Sequence, residues 1–301
     1  MPSFQLLLAS LAACAILAAC THRDDRSHAA TTDGSKPVGT QSPVPGTVPD
    51  ADAPAKIPSP SSSPRPSGPP PQNPNTAVRV DLSRAKATTY HSVSTGGNHI
   101  ALTFDDGPHK TNTPRLLDIL KERNIKATFF VVGPRVKSHP AIVRRMIAEG
   151  HEVANHTMTH GDLSGMTDAQ IRTELDGCQA AIVAACGVTP RLMRAPYGSL
   201  KNAQKIFIKD TWGYPNIHWS VDPKDHERPG PSVVANRIVS NTRAGGIVLV
   251  HDIHAPSIVA MPQALDGLLS KGFSFVTVSQ LISLGNKPVA SVNTDAAPSG
   301  S

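Results

Sequence analysis

The chain has 301 residues and a formal charge of +6, which leaves room for one large domain or two small ones. Between Gly97 and Pro288, 21 Lys/Arg stand against 16 Asp/Glu, so the positive excess is mild and scattered. That balance suits anionic partners such as cell-wall polymers, and the basic runs and aromatic signatures of a nucleic-acid binder are missing.

The first element is an address. Phe4 to Ala19 is a short apolar run rich in Leu and Ala, too short to span a bilayer comfortably and suited to a secretion signal. It ends in Leu17-Ala18-Ala19-Cys20, which resembles the bacterial lipobox. The resemblance implies a lipoprotein signal over residues 1–20, lipidation of Cys20, and a membrane anchor at the periplasmic or outer face of the envelope. Leu11-Ala12-Ala13-Cys14 repeats the pattern with less apolar chain before it. No Lys or Arg precedes Phe4, so a plain secretion signal or an uncleaved anchor is the alternative. Residues 21–96 follow, with prolines crowded between Pro37 and Pro74 among Ser, Thr and Gly. Such a segment cannot bury enough apolar surface to offset its ordering entropy, and it reads as a flexible tether.

From Gly97 to Pro288 apolar runs alternate with amphipathic stretches. His99–Phe104 reads as a strand, Thr113–Arg123 as a helix, and Ala127–Val132 as a strand. His139–Glu149 reads as a helix stopping at Gly150, and Glu152–Asn155 as a strand. Thr167–Ala185 is helical with Thr167 or Asp168 as its cap. Leu192–Ala195 is a short strand and Asn202–Lys209 a helix. Asn216–Val221, Gly246–His251 and Phe273–Val278 are strands. Ser232–Thr242, Pro262–Ser270 and Ser279–Leu284 are helices between and after them. This alternation predicts an α/β fold with a parallel sheet closed into a barrel, whose active site gathers at the carboxyl ends of the strands. Cys178 and Cys186 lie eight residues apart on one expected helix, about 12 Å. That is too far for a disulfide unless the helix ends early. The polar residues 289–301 read as a disordered tail.

Chemistry-bearing residues fall on the strand ends. Asp105 and Asp106 close the first strand in Thr103-Phe104-Asp105-Asp106-Gly107-Pro108. Two adjacent carboxylates repel unless a cation or proton lies between them, and Gly-Pro fixes a turn that would present them. His156 and His160 share a face if helical, at a spacing that suits one metal ion. One carboxylate and two imidazoles leave positions open for water. With no thiolate, Zn2+ is the first expectation, and Co2+, Ni2+, Mn2+ or Fe2+ also fit. Arg194, in Arg194-Ala195-Pro196-Tyr197-Gly198, could hold a carboxylate ionised. His251 ends a buried strand, where a nearby acid would raise its pKa and make it a general acid. Taken singly, each cluster also reads as an ordinary turn or a core histidine. Their arrival at one rim is what points to a site.

Together these motifs resemble the polysaccharide deacetylase family with the NodB homology domain, over Gly97 to Leu284. The resemblance implies a distorted (β/α) barrel of seven strands and a metal-dependent hydrolase. It implies Asp105 as general base, with Asp106, His156 and His160 as metal ligands. Arg194 would orient the catalytic aspartate, the Tyr197 N–H would bind the oxyanion, and Asp225 would pair with His251, the general acid. Leu249 would form a wall of the acetyl pocket. One departure stands out: after Asp222-Pro223-Lys224-Asp225 the family usually has tryptophan, and here the residue is His226. Trp219 is expected in the core.

The expected substrate is an N-acetylated, GlcNAc-type polysaccharide such as peptidoglycan, a chitin-like polymer or an exopolysaccharide. An O-acetyl esterase on a xylan-like glycan and an inactive glycan-binding lipoprotein are the alternatives. The chain is expected to be a monomer.

Overall fold

The structure, a computed structural model, describes residue 82 and residues 88–285. The signal peptide, Cys20, most of the tether and the tail lie outside the described residues. The elements are β1 (Thr89–Tyr90), β2 (His99–Asp105), α1 (Asn112–Glu122), β3 (Thr128–Val131), α2 (Gly133–Ser138), α3 (Pro140–Ala148), β4 (Glu152–Asn155) and α4 (Asp168–Cys186). They continue with α5 (Asn202–Trp212), β5 (Asn216–Ile217), α6 (Pro231–Asn241), β6 (Ile247–His251), α7 (Ala255–Ser270), β7 (Ser274–Phe275) and α8 (Val278–Gly285). Among the described residues no helix is long and apolar enough to cross a membrane.

The central sheet is parallel, in the order β4-β3-β2-β6, with β7 pairing the lower part of β2. Single bridges close the ring. Asn155 at the end of β4 meets Met193, Met193 meets Asn216 of β5, and Val221 meets Val248 of β6. The result is a distorted barrel. Strand alternation sorts its side chains. Ile100, Leu102 and Phe104 of β2, with Phe129, Val131, Val153, Val248 and Val250, pack outward under the helices. Ala101, Phe130, Ala154, Ile217 and Ile247 belong to a separate inner cluster, against which α8 presses Val278, Leu281 and Ile282. Asp105 continues the inner row of Ala101 and Thr103, which brings a carboxylate to the top of the interior.

Several expectations are corrected. Leu192–Ala195 is not a strand and contributes bridges only through Met193. The strand expected over Asn216–Val221 is reduced to two residues, with Val221 bridging separately. β1 pairs with β5, so the folded part begins upstream of Gly97. Gly133–Ser138, between the strand and the helix read from the sequence, is a further short helix. Pro134 sits near the helix N-terminus, where a missing N–H costs nothing. Conversely, α7 starts at Ala255 and runs through Pro262. Ile258, Met261, Leu265 and Leu268 make one buried stripe along it, and that packing outweighs the lost hydrogen bond. α4 continues through Cys186, leaving Cys178 and Cys186 as free thiols. Burial pushes the Cys178 thiol up to about 12.

Candidate active site

Asp105 and His251 are register partners on the adjacent strands β2 and β6, so two groups 146 positions apart in the chain sit side by side. The backbone turns sharply after β2. Asp106 has φ 74°, and Gly107 lies so close to Asp252 that a Cβ there would fall 2.3 Å from its carboxylate. The next loop, from β4, carries both histidines. Asn155 Oδ1 accepts the Thr157 N–H at 2.8 Å, and Thr157 Oγ accepts the His160 N–H at 3.0 Å. Glu174 of α4 accepts from both the N–H and the hydroxyl of Thr159, at 2.7 and 2.6 Å. These bonds hold Thr157 and His160 at φ 69° and 59°.

The loops bring Asp106, His156 and His160 together, with one ligand atom from each within 4.8 Å of the others. Asp106 Oδ1 lies 3.0 Å from His160 Nε2 and 3.4 Å from His156 Nε2. It is buried, and neither approach is aligned as a hydrogen bond. Ligand bonds of about 2.0–2.2 Å place neighbouring ligand atoms about 3.0–3.5 Å apart, so the spacing fits a divalent ion. The tautomer fits as well. His156 Nδ1 lies 2.8 Å from the Arg194 carbonyl, which only accepts, so Nδ1 carries the proton and Nε2 keeps its lone pair. Burial works against charge on Asp106, but the two imidazoles hold its carboxyl well below the usual range. Asp106 in turn raises the His160 imidazolium.

Arg194 is 1% exposed and spans the barrel interior. Its Nη1 donates to Asp105 Oδ1 at 2.6 Å and to Thr103 Oγ at 2.8 Å; Nε and Nη2 donate to the carbonyls of Ile217 and His218. The guanidinium lies 4.1 Å above the Phe130 ring. Burial lowers its pKa, and Asp105 opposes that shift. Trp219 is half-buried rather than in the core, 5.6 Å from the same guanidinium.

Asp225 is buried in a one-turn 3-10 segment, Asp225–Glu227. Its Oδ1 lies 2.8 Å from His251 Nδ1, while Oδ2 accepts from the His251 N–H and the Ser257 hydroxyl. Burial opposes charge on His251, yet Asp225 prevails and lifts the imidazolium to about 9. Burial would likewise raise Asp225, and its bonds to His251 bring it below the usual range. Tyr197, at φ 60° and 72% exposed, sets its ring edge-on to His160. Leu249 is buried on the inner row beside Thr103.

Every residue singled out within the described region thus lies on this rim or directly beneath it. Sequence reasoning missed Glu174, Asn155, Ser257 and Asp252. Glu174 had a signal: it falls in the buried stripe Ile171, Leu175, Cys178 of α4, where a charged residue needs a reason. Asp252 is fully buried, accepts a bond from the Thr113 hydroxyl, and is pushed up to about 7 by burial.

A carboxylate and two imidazoles able to hold one ion, beside a clamped carboxylate and an acid-paired histidine on a parallel barrel, are the groups that metal-assisted hydrolysis requires. The comparisons carry this further. Residues 92–217 match the family model described as polysaccharide deacetylase. A chitooligosaccharide deacetylase of Bradyrhizobium sp. (strain ANU 289) is 45% identical over 168 residues, 56% of this chain and 76% of that protein. A peptidoglycan-N-acetylglucosamine deacetylase of Listeria monocytogenes is 38% identical over 182 residues, 60% of this chain but only 38% of that protein. The solved peptidoglycan deacetylase PdaC of Bacillus subtilis superposes with a TM-score of 0.59 at 33% identity, covering 64% of this chain and 93% of that one. The chain belongs to the polysaccharide deacetylase family, and it is an enzyme of that class.

Proposed function

We propose that the protein removes N-acetyl groups from a GlcNAc-type polysaccharide of the bacterial envelope, peptidoglycan first, tethered there by a lipid on Cys20. The observation that carries the catalytic part is the Asp106–His156–His160 triangle next to Asp105 and its register partner His251. Asp106, His156 and His160 would hold the ion, with zinc the best match to an oxygen and nitrogen donor set. A divalent ion there supplies Lewis acidity and a water of lowered pKa.

This chain's own groups do the rest. Arg194 fixes Asp105 in position, and Asp105 takes the proton of the attacking water. The Tyr197 N–H stabilises charge developing on the acetyl oxygen, and Leu249 walls the acetyl methyl. His251, kept protonated by Asp225, gives its proton to the departing sugar nitrogen. An amine anion is a very poor leaving group, so this proton decides amide cleavage; an ester needs it less. The test is acetate release from peptidoglycan, chitin oligomers and acetylated xylan, with and without a chelator. Release from the N-acetylated glycans, lost on chelation and restored by zinc, is the expected outcome. Release from acetylated xylan alone would overturn the substrate assignment. Labelled fatty acid that failed to join the expressed protein would remove the anchor.

A further inference from the structure

His226 follows Asp225 in the chain, and its side chain is exposed at the rim. Its ring meets His251 edge-on with centroids 5.9 Å apart. Asp225, His226 and His251 each offer one ligand atom, and these lie within 4.8 Å of one another. Among the described residues this is the one metal-competent set besides Asp106, His156 and His160. Its donors are again one carboxylate oxygen and two imidazole nitrogens, which suit a borderline transition metal. Tryptophan, which the family usually has here, offers no lone pair for a metal.

We propose that Asp225, His226 and His251 form a second, weaker site for Zn2+, and that filling it switches the enzyme off. The ion takes the place of the proton now shared between His251 Nδ1 and Asp225 Oδ1, which are 2.8 Å apart. Ligand atoms of one zinc ion sit about 3.0–3.5 Å apart, so the pair opens by a few tenths of an ångström. Meanwhile the His251 N–H and the Ser257 hydroxyl keep Oδ2 in place. One proton leaves to solvent per ion bound. The His251 ring then keeps only its Nε2–H, and giving that up would leave an imidazolate. The imidazolium needed to protonate the leaving nitrogen is gone. Affinity is lower than at the first site because a hydrogen bond must be broken and the exposed His226 side chain ordered. Binding stands on this geometry alone, whereas inhibition rests on the role of His251 proposed above.

The experiment is equilibrium dialysis of the full chain against graded Zn2+, with acetate release read on the same samples. The proteins are wild type, His226→Ala, His226→Trp and His160→Ala. Wild type should bind one equivalent tightly and one more at higher free zinc. Both position-226 variants should lose only the second, while His160→Ala should lose the first and keep the second. As the second site fills, wild-type activity should fall about tenfold or more relative to its own one-zinc value, since a general acid contributes about 10²–10⁴-fold. Neither position-226 variant should show that fall relative to its own one-zinc value. A second equivalent that persists in both variants, or fills in wild type without inhibition, overturns the inference. Absence of the tight equivalent in wild type would instead sink the first site and leave this one standing.

Discussion

Replacing Arg194 by methionine tests the centre of the site. The side chain is 1% exposed, and Asp105 is 3% exposed, so Arg194→Met strands a buried carboxylate. Breaking such a pair from one side costs about 3–5 kcal/mol. The carbonyls of Ile217 and His218 lose a donor each, about 1 kcal/mol apiece. The sum, about 5–7 kcal/mol, consumes much of the about 5–15 kcal/mol that holds a domain folded. At about 2–4 °C per kcal/mol for a domain of this size, Tm should drop by about 10–28 °C. Activity should fall by about 10²–10³-fold, because Asp105 no longer has a fixed direction toward the water. The double variant Asp105→Leu with Arg194→Met should be more stable than Arg194→Met alone, since it removes both charges together. The assays are thermal unfolding by circular dichroism and acetate release. A double variant whose loss equals the sum of the two single losses would refute the claim that Arg194 is there to hold Asp105.

The remaining predictions follow from the flanking groups. In Asp225→Asn the His251 imidazolium loses the partner that lifts it to about 9, so it deprotonates nearer its ordinary 6.5. Because the protonated ring is the active one, the alkaline limb of the kcat/KM profile should move to lower pH; an unmoved limb would remove His251 as the acid. His151 is buried, its Nδ1 accepts the Ala127 N–H, and its pKa is lowered to about 4 by burial. The unfolded chain therefore takes up this proton first as pH falls. Stability from this residue is complete above about pH 6.5 and declines by about 3 kcal/mol toward pH 4; urea unfolding of His151→Gln should show a shallower acid loss. Glu174→Ala frees the Thr159 bonds and should weaken zinc binding about 10–100-fold, read by competition with a chromogenic chelator. Gly107→Ala pushes a methyl into Asp252 and should lower kcat about a hundredfold by displacing Asp105 and Asp106.

The parts of the fold that sequence reveals are those governed by local pattern. Long periodic elements such as α4, with its Thr167–Gln170 capping box and its left-handed Gly187 stop, are written in spacing and cap chemistry. The Met193 segment is not. It carries strand-like residues, but one bridge on each side is all the barrel leaves for it, a fact of curvature rather than propensity. α7 failed for the reverse reason, since long-range burial overrode the punctuation of Pro262. The site was legible because Asp105, Asp106, His156, His160 and His251 are unusual residues at strand ends. Glu174 and Ser257 act by bonds to loops 15 and 32 positions away in sequence, and no local rule predicts such partners. Asn155 holds Thr157 two residues on, a local side-chain turn whose role is visible only once the histidine loop is in place.

The backbone shows why those partners are needed. Among the described residues, those other than glycine with positive φ are Asp106, Asn124, Thr157, His160, Tyr197, Lys224 and Arg228. All but Asn124 lie at the rim or flank the Asp225 turn. Each such conformation costs about 1–3 kcal/mol and persists only where neighbours over-determine it. Asn155 and Glu174 do so for the histidine loop, and the Asp225 carboxylate does so for the turn bounded by Lys224 and Arg228, through His251 and Ser257. An ion gripped by Asp106, His156 and His160 would add a further restraint on two strained residues, Asp106 and His160, at once. Binding energy at the ion site and rigidity of the rim are therefore one quantity. The supporting bonds from α4 and α7 determine how much of it is already present before an ion arrives.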